Sequence, residues 1–210
     1  MSGDSIEEES MTAVLLPVDP ALLDRDDLTV DDLVDLPEDL RYELIEGRLV
    51  LTPVGLPIHQ FLEVRIANAI EENCPDQFLV NVEQALLKSE RSEFRPDVML
   101  IREEGADRSP VLPDDVSLIV EIISPSSRFS DRQDKAKWYA QLQIPSYWIV
   151  DPLAETVTVT VLRLGSDGQY QPSFQTDGLV TVDEPWPITL DLPAWTRKRD
   201  RLRRPGRSHE

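Results

Sequence analysis

The sequence predicts an α/β fold, a mixed β-sheet flanked by helices with an antiparallel hairpin towards the C-terminus. Three observations carry that prediction. Ser117–Ile123 is almost continuously apolar, the pattern of a central strand covered on both faces. A polar, helix-like stretch separates it from a second buried run, Ser146–Val150, and a strand–helix–strand unit of that kind implies a right-handed crossover between parallel neighbours. Thr156–Leu164 instead alternates in polarity, turns at Gly165-Ser166-Asp167-Gly168 and continues as Gln169–Gln175, which reads as antiparallel.

The other elements follow in order. Thr29–Leu36 predicts a short helix, with Thr29 as its cap and acidic residues at its positive end. Pro37 stops it. Arg41–Ile45 and Arg48–Thr52 are two strands around Glu46-Gly47, a hairpin signal, with Glu46 serving the turn. Pro57 opens a helix to about Asn73, with Ile58, Phe61, Leu62, Ile66, Ala69 and Ile70 on one apolar stripe and Glu63, Arg65, Glu71 and Glu72 elsewhere. Gln77–Leu87 and Arg95–Ile101 read as single strands, separated from Ser117 by a charged loop, Glu103–Pro113. Ser124-Pro125-Ser126-Ser127 is a turn, and Ser130 caps a helix from Asp131 to about Gln143. Ile188–Leu192 is a last extended piece.

At 210 residues the chain is long enough for one domain with a substantial core. Its organisation reads as an acidic N-terminal tail over 1–27, a domain over 28–195 and a basic C-terminal tail over 196–210. Acidic residues from Asp4 to Asp39 face only Arg25, whereas Arg197-Lys198-Arg199 and Arg201, Arg203 and Arg204 crowd the other end. No apolar run approaches the roughly 20 residues of a bilayer span, so no membrane partner is expected. The polar start of the chain does not read as a signal peptide, and a single cysteine, Cys74, excludes an internal disulfide. A cytoplasmic location is the expectation. The net charge of −19 argues against a generic DNA-binding protein, because affinity for a duplex comes mainly from lysine and arginine. No phosphate-binding loop, dinucleotide fingerprint, nucleophile elbow or HExxH stretch is present.

Chemistry is signalled by two carboxylates set in apolar runs. Asp97 opens Val98-Met99-Leu100-Ile101, and Glu121 interrupts Leu118-Ile119-Val120 and Ile122-Ile123. Burying a carboxylate there is costly without a cation or strong donor. Adjacent strands lie about 4.8 Å apart, so two such strands can aim both acids at one magnesium ion, which prefers few carboxylates and several waters or phosphate oxygens. The residues alone leave open that each acid simply pairs with an arginine or caps a turn. Lys135 sits on one helix face with Asp131 and Tyr139, and that helix must pack back on the sheet carrying Glu121. Lys137 points elsewhere. Tyr139 and Trp148 read as core, and Gln84 is only permitted to approach the site.

With those residues in view, the chain resembles the Uma2 family (DUF820) of restriction-endonuclease-like proteins, within the PD-(D/E)XK nuclease superfamily. The matching segments are Arg41-Tyr42-Glu43-Leu44-Ile45-Glu46-Gly47, His59, Arg95-Pro96-Asp97-Val98, Val120-Glu121-Ile122-Ile123-Ser124-Pro125-Ser126, Asp131-Arg132 with Lys135 and Tyr139, and Tyr147-Trp148-Ile149-Val150-Asp151-Pro152. They run in family order over about residues 29 to 164. The resemblance implies a restriction-endonuclease-like mixed sheet, a divalent metal (Mg2+ or Mn2+) and phosphodiester hydrolysis, with DNA as the substrate. Asp97 would be the signature aspartate and Glu121 the second acid, both metal ligands. Glu43 would be an additional catalytic acid, and His59 and Arg95 would touch substrate. One departure stands out: the superfamily places lysine two positions after the second acid, where this chain has Ile123. Lys135, from the following helix, is the expected replacement. The other readings are a catalytically degenerate nuclease-fold module for binding or assembly, and a hydrolase of small phosphate esters. A homodimer through the Thr156–Gln175 hairpin edge is a further expectation.

Overall fold

The computed structural model describes residues 18–37, 40–53, 55–125 and 129–203, the side chains of 129–133 excepted. The expected Ser126-Ser127 turn, the Ser130 cap and the side chain of Asp131 therefore lie outside the described residues, as do most of the acidic tail and the end of the basic one.

Among the described residues, three sheets and their helices make up the fold. A short helix α1 (Pro20–Leu23) and a 3-10 turn (Val30–Leu33) lead into the hairpin β1 (Tyr42–Ile45) and β2 (Arg48–Leu51). Helix α2 (Pro57–Glu71) follows, then β3 (Phe78–Val82), β4 (Leu86–Ser89), β5 (Ser92–Phe94), β6 (Val98–Arg102) and β7 (Val116–Ile122). Helix α3 (Phe129–Gln141) connects β7 to β8 (Ser146–Asp151), and β9 (Thr158–Leu164), β10 (Tyr170–Thr176), β11 (Leu179–Val182), β12 (Ile188–Asp191) and α4 (Leu192–Arg203) complete the chain. The larger sheet has the order β10-β9-β8-β7-β6-β3, with β7 and β8 parallel and the other pairs antiparallel. The smaller sheet runs β2-β1-β5-β4, and β11 pairs with β12. The mixed α/β architecture is thus as expected, with β7 inside the sheet. Among the described residues no helix is long and apolar enough to cross a membrane.

Side-chain alternation divides the core. Val98, Leu100, Leu118, Val120, Ile122, Trp148 and Val150 pack against Leu62, Ile66 and Ile70 of α2 and Leu192 and Trp195 of α4. The opposite face, with Met99, Ile101, Ile119 and Tyr147, packs on Tyr139, Ile144, and Phe94 and Leu86 of the small sheet. Each fully buried apolar side chain contributes about 1.5–3 kcal/mol, so the large sheet is the stable frame. Glu121 falls on the α3 side, next to Tyr139, because it lies two residues from Ile119.

Several expectations change in detail. The single strand Gln77–Leu87 is two strands in different sheets, split at Glu83, whose φ of 50° ends the extended run without a glycine to announce it. Strands β5 and β11 were not anticipated. Thr29 does start a turn, but a 3-10 one, with the Asp32 carboxylate accepting from the Thr29 backbone N and Oγ1 at 2.8 Å each. Residues 192–203, overlapping the stretch read as a basic tail, are helical. Arg199 is only 2% exposed and donates to the carbonyls of Pro152, Ala154 and Glu155 at 2.9, 2.8 and 2.6 Å. A loop whose carbonyls lack strand partners is satisfied by one planar donor group.

Candidate active site

The β6–β7 register pairs Val98 with Val120, and continuing it by one residue sets Asp97 opposite Glu121. The acids therefore share a face at the end of two core strands. Asp97 Oδ2 accepts from the Ile122 backbone N at 2.5 Å. His59, in the first turn of α2, brings Nε2 to 3.4 Å from the same oxygen and 3.2 Å from the Ile122 carbonyl. Both neighbours only accept, so Nε2 carries the proton. Burial opposes the charged imidazole, but Asp97 and the Ile122 carbonyl raise the His59 pKa above its ordinary value.

Lys135 reaches the site from α3. Its Nζ lies 3.0 Å from Glu121 Oε1 and 3.0 Å from Glu43 Oε1. Tyr139, one helical turn later, donates to Glu121 Oε1 at 2.6 Å. Glu43, on β1, also accepts from the Arg95 backbone N at 3.3 Å. One ammonium thus ties the small sheet, the large sheet and the crossover helix together. Burial lifts the Glu121 carboxyl to about 7; Lys135 pulls it down, while Asp97 and Glu43 push it up. Burial would lower the Lys135 pKa, but Glu121 and Glu43 hold it well above the usual lysine value, so the ammonium stays charged. Tyr139 is driven up by burial and by Glu121, and remains a donor.

Two contact groups result, Asp97 with His59 and Glu121 with Glu43, Lys135 and Tyr139, joined where Asp97 accepts from the backbone N of Ile122, the residue after Glu121. Arg95 meets Glu43 only through its main chain: its side chain lies over Tyr42, 4.6 Å from the ring centre, and Nη2 meets Glu93 at 3.2 Å. Lys137 pairs with Asp134 at 3.4 Å, away from the cluster. Gln84 donates to Ser109 and takes no part.

Sequence reasoning missed Glu63. The apolar stripe of α2 assigned it outward, yet it is 6% exposed. Burial, then the charges of Glu83 and Asp97, raise its carboxyl to about 7, while His59 and Arg41 oppose the shift. Its place one turn after His59 was the available signal. Glu83 is joined to Arg41 by two hydrogen bonds from the guanidinium, an ion pair between the β3–β4 break and the entry to β1.

Among the described residues, no group of three or more His, Cys, Asp or Glu is arranged to hold a metal ion. The donor chemistry still fits a hard divalent cation. Asp97 and Glu121 present carboxylate oxygens from neighbouring strands, and magnesium typically takes one or two carboxylates with water and phosphate oxygens completing the shell. His59, protonated on Nε2 and turned to acceptors, is not a ligand in this arrangement.

A family model described as Uma2, "Putative restriction endonuclease", matches residues 30–197. A crystal structure titled as a putative nuclease belonging to DUF820 from Anabaena variabilis is similar at a TM-score of 0.60 and 18% identity, covering 82% of this chain and 99% of that one. That likeness shows a shared fold. No curated protein matches. With the family model spanning most of its length, the chain belongs to the Uma2 family.

Proposed function

We propose that the protein is a metal-dependent endonuclease that hydrolyses phosphodiester bonds in DNA. The observation that carries the reading is Lys135, whose ammonium stands 3.0 Å from Glu121 although position 123 is isoleucine. The family description and the acidic pair Asp97/Glu121 support it. Asp97 and Glu121 would hold Mg2+ or Mn2+, which when bound polarises the phosphorus and lowers the pKa of an attacking water.

The chain's own residues have separate tasks. Lys135 orients the water and offsets charge growing on the phosphate. Glu43 and Tyr139 fix where that ammonium and the Glu121 carboxylate stand. His59 donates from Nε2 at the edge of the site, towards Asp97 or a phosphate oxygen. Arg95, stacked on Tyr42 and paired with Glu93, holds Glu43 through its backbone N rather than offering a free fork of donors. The surrounding negative charge makes duplex affinity weak and salt-sensitive. A cytoplasmic location, and a homodimer through the outer edge of β10, belong to the same proposal.

Supercoiled plasmid with magnesium or manganese tests the reading. The wild type is expected to nick it, and Asp97→Ala to lose about a thousandfold in rate. Cleavage of RNA alone would reassign the substrate. No cleavage of either polymer would favour the binding-module reading, for which isoleucine at 123 is the specific observation.

A further inference from the structure

The small sheet carries a basic feature that the catalytic reading does not use. A concave patch of about 570 Å³ is lined by Ile45, Arg48, Lys88 and Arg91 together with Asp26 and Glu46. In a chain of net charge −19, three cations here face two carboxylates. Their partners matter more than their number. Arg48 meets Asp26 at 3.5 Å, a long and exposed pair. Arg91 donates to the backbone carbonyls of Glu46, at 3.0 Å, and Asp26, at 2.5 Å. Those acceptors orient its guanidinium without neutralising it. Gly47, with φ of 87°, permits the approach, since a Cβ there would come 2.5 Å from Arg91 Nη2.

Lys88 is the unusual member. Its ammonium lies 4.6 Å from the ring centre of Trp138 and 5.6 Å from that of Phe94, and the two rings stack at 4.8 Å. No carboxylate of the described residues forms an ion pair with it. Burial pulls its pKa below the usual lysine value, against the raising effect of Glu46. A cation held over aromatic rings, partly withdrawn from water and without a carboxylate partner, is placed to meet an anion.

We propose that Lys88, with Arg91 and Arg48, forms a subsite for a phosphate group flanking the scissile bond. The assignment to the substrate strand rests on the nuclease reading; the phosphate chemistry does not. Ile45 lies two residues after Glu43 on one face of β1, and Trp138 three residues after Lys135 on α3. Two strand residues span about 7 Å. The patch therefore adjoins the Glu43–Lys135 pair along one face of β1, on the side where a phosphate flanking one at Lys135 would fall.

The test compares wild type, Lys88→Gln and Lys88→Arg. Glutamine keeps the stem over Trp138 and removes the charge, and thermal melts check that each variant folds. Binding of inorganic phosphate and of a labelled duplex oligonucleotide is measured without divalent metal, followed by cleavage kinetics with magnesium. Lys88→Gln is expected to weaken oligonucleotide binding about tenfold and to put the cleavage defect in KM. The slope of log affinity against log salt should shrink by about one. Lys88→Arg should restore both. Unchanged affinity and slope in Lys88→Gln would overturn the subsite. Lys88-dependent binding of free phosphate alone would overturn the strand assignment. Lys88-dependent oligonucleotide binding without cleavage would support the subsite and sink the hydrolytic reading instead.

Discussion

Partly buried Glu121 on β7 and buried Glu63 on α2 both have carboxyls pushed up to about 7, yet their surroundings differ. Glu121 accepts from Lys135 and Tyr139, so burial is opposed by an ammonium and a phenol at short range. Glu63 accepts no hydrogen bond from the described residues, and Glu83 and Asp97 add repulsion. Two carboxyls raised to the same extent therefore differ in what surrounds them: Glu121 has hydrogen-bond donors placed for its charged form, whereas Glu63 has only the charges of His59 and Arg41 to favour it. A raised pKa by itself does not identify a catalytic group; the donors around it do.

Removing Lys135 should break the comparison most severely. Lys135→Ala takes away the largest influence that lowers the Glu121 pKa and leaves two buried carboxylates unpaired. Cleavage should fall about 100- to 1000-fold, and stability by about 3 kcal/mol, read by single-turnover kinetics and by denaturant melts. The Glu121 carboxyl then moves further up, and residual activity should need a higher pH. Activity at the wild-type level would show that Ile123 is not replaced functionally by this lysine.

Glu63→Gln should have a smaller effect of opposite sign. The folded carboxyl, at about 7, binds its proton more tightly than the unfolded one, whose ordinary value is 4.5. Between those values the folded state holds more protons, so stability falls as pH rises through the window. Below it the protonated carboxyl carries no such loss. Glutamine removes the dependence, and the variant should be more stable than wild type above pH 7 by about 1–2 kcal/mol, with a flatter pH profile in thermal melts. A destabilised variant would mean that Glu63 has a favourable partner when ionised.

The same contrast explains what the sequence revealed. Asp97 and Glu121 were legible because a carboxylate in a β-branched strand is out of place, and strand periodicity fixes the face it uses. Lys135 was legible from its place on a helix that must pack near β7, and Tyr139 shared its face at i, i+4 but read as core, because an aromatic at that spacing does not reveal that its hydroxyl meets Glu121. Glu63 was hidden because an amphipathic stripe counts apolar positions and assigns the acids to water, although His59 lay one turn earlier. The Arg41–Glu83 pair was hidden because Glu83, not glycine or proline, makes the break between β3 and β4. The α4 helix was masked by its charge, although Leu192, Trp195 and Arg199 recur at helical spacing and are buried. Buried arginine defeats a reading based on polarity alone.

The central claim is that Asp97 and Glu121 act on one divalent cation, and calorimetric titration of magnesium tests it most directly. Above about pH 7, where Glu121 is ionised, the wild type should bind one ion per chain with measurable heat. Asp97→Ala should lose that heat while keeping its fold. Equal heat in the two proteins, or none in the wild type, would contradict the account.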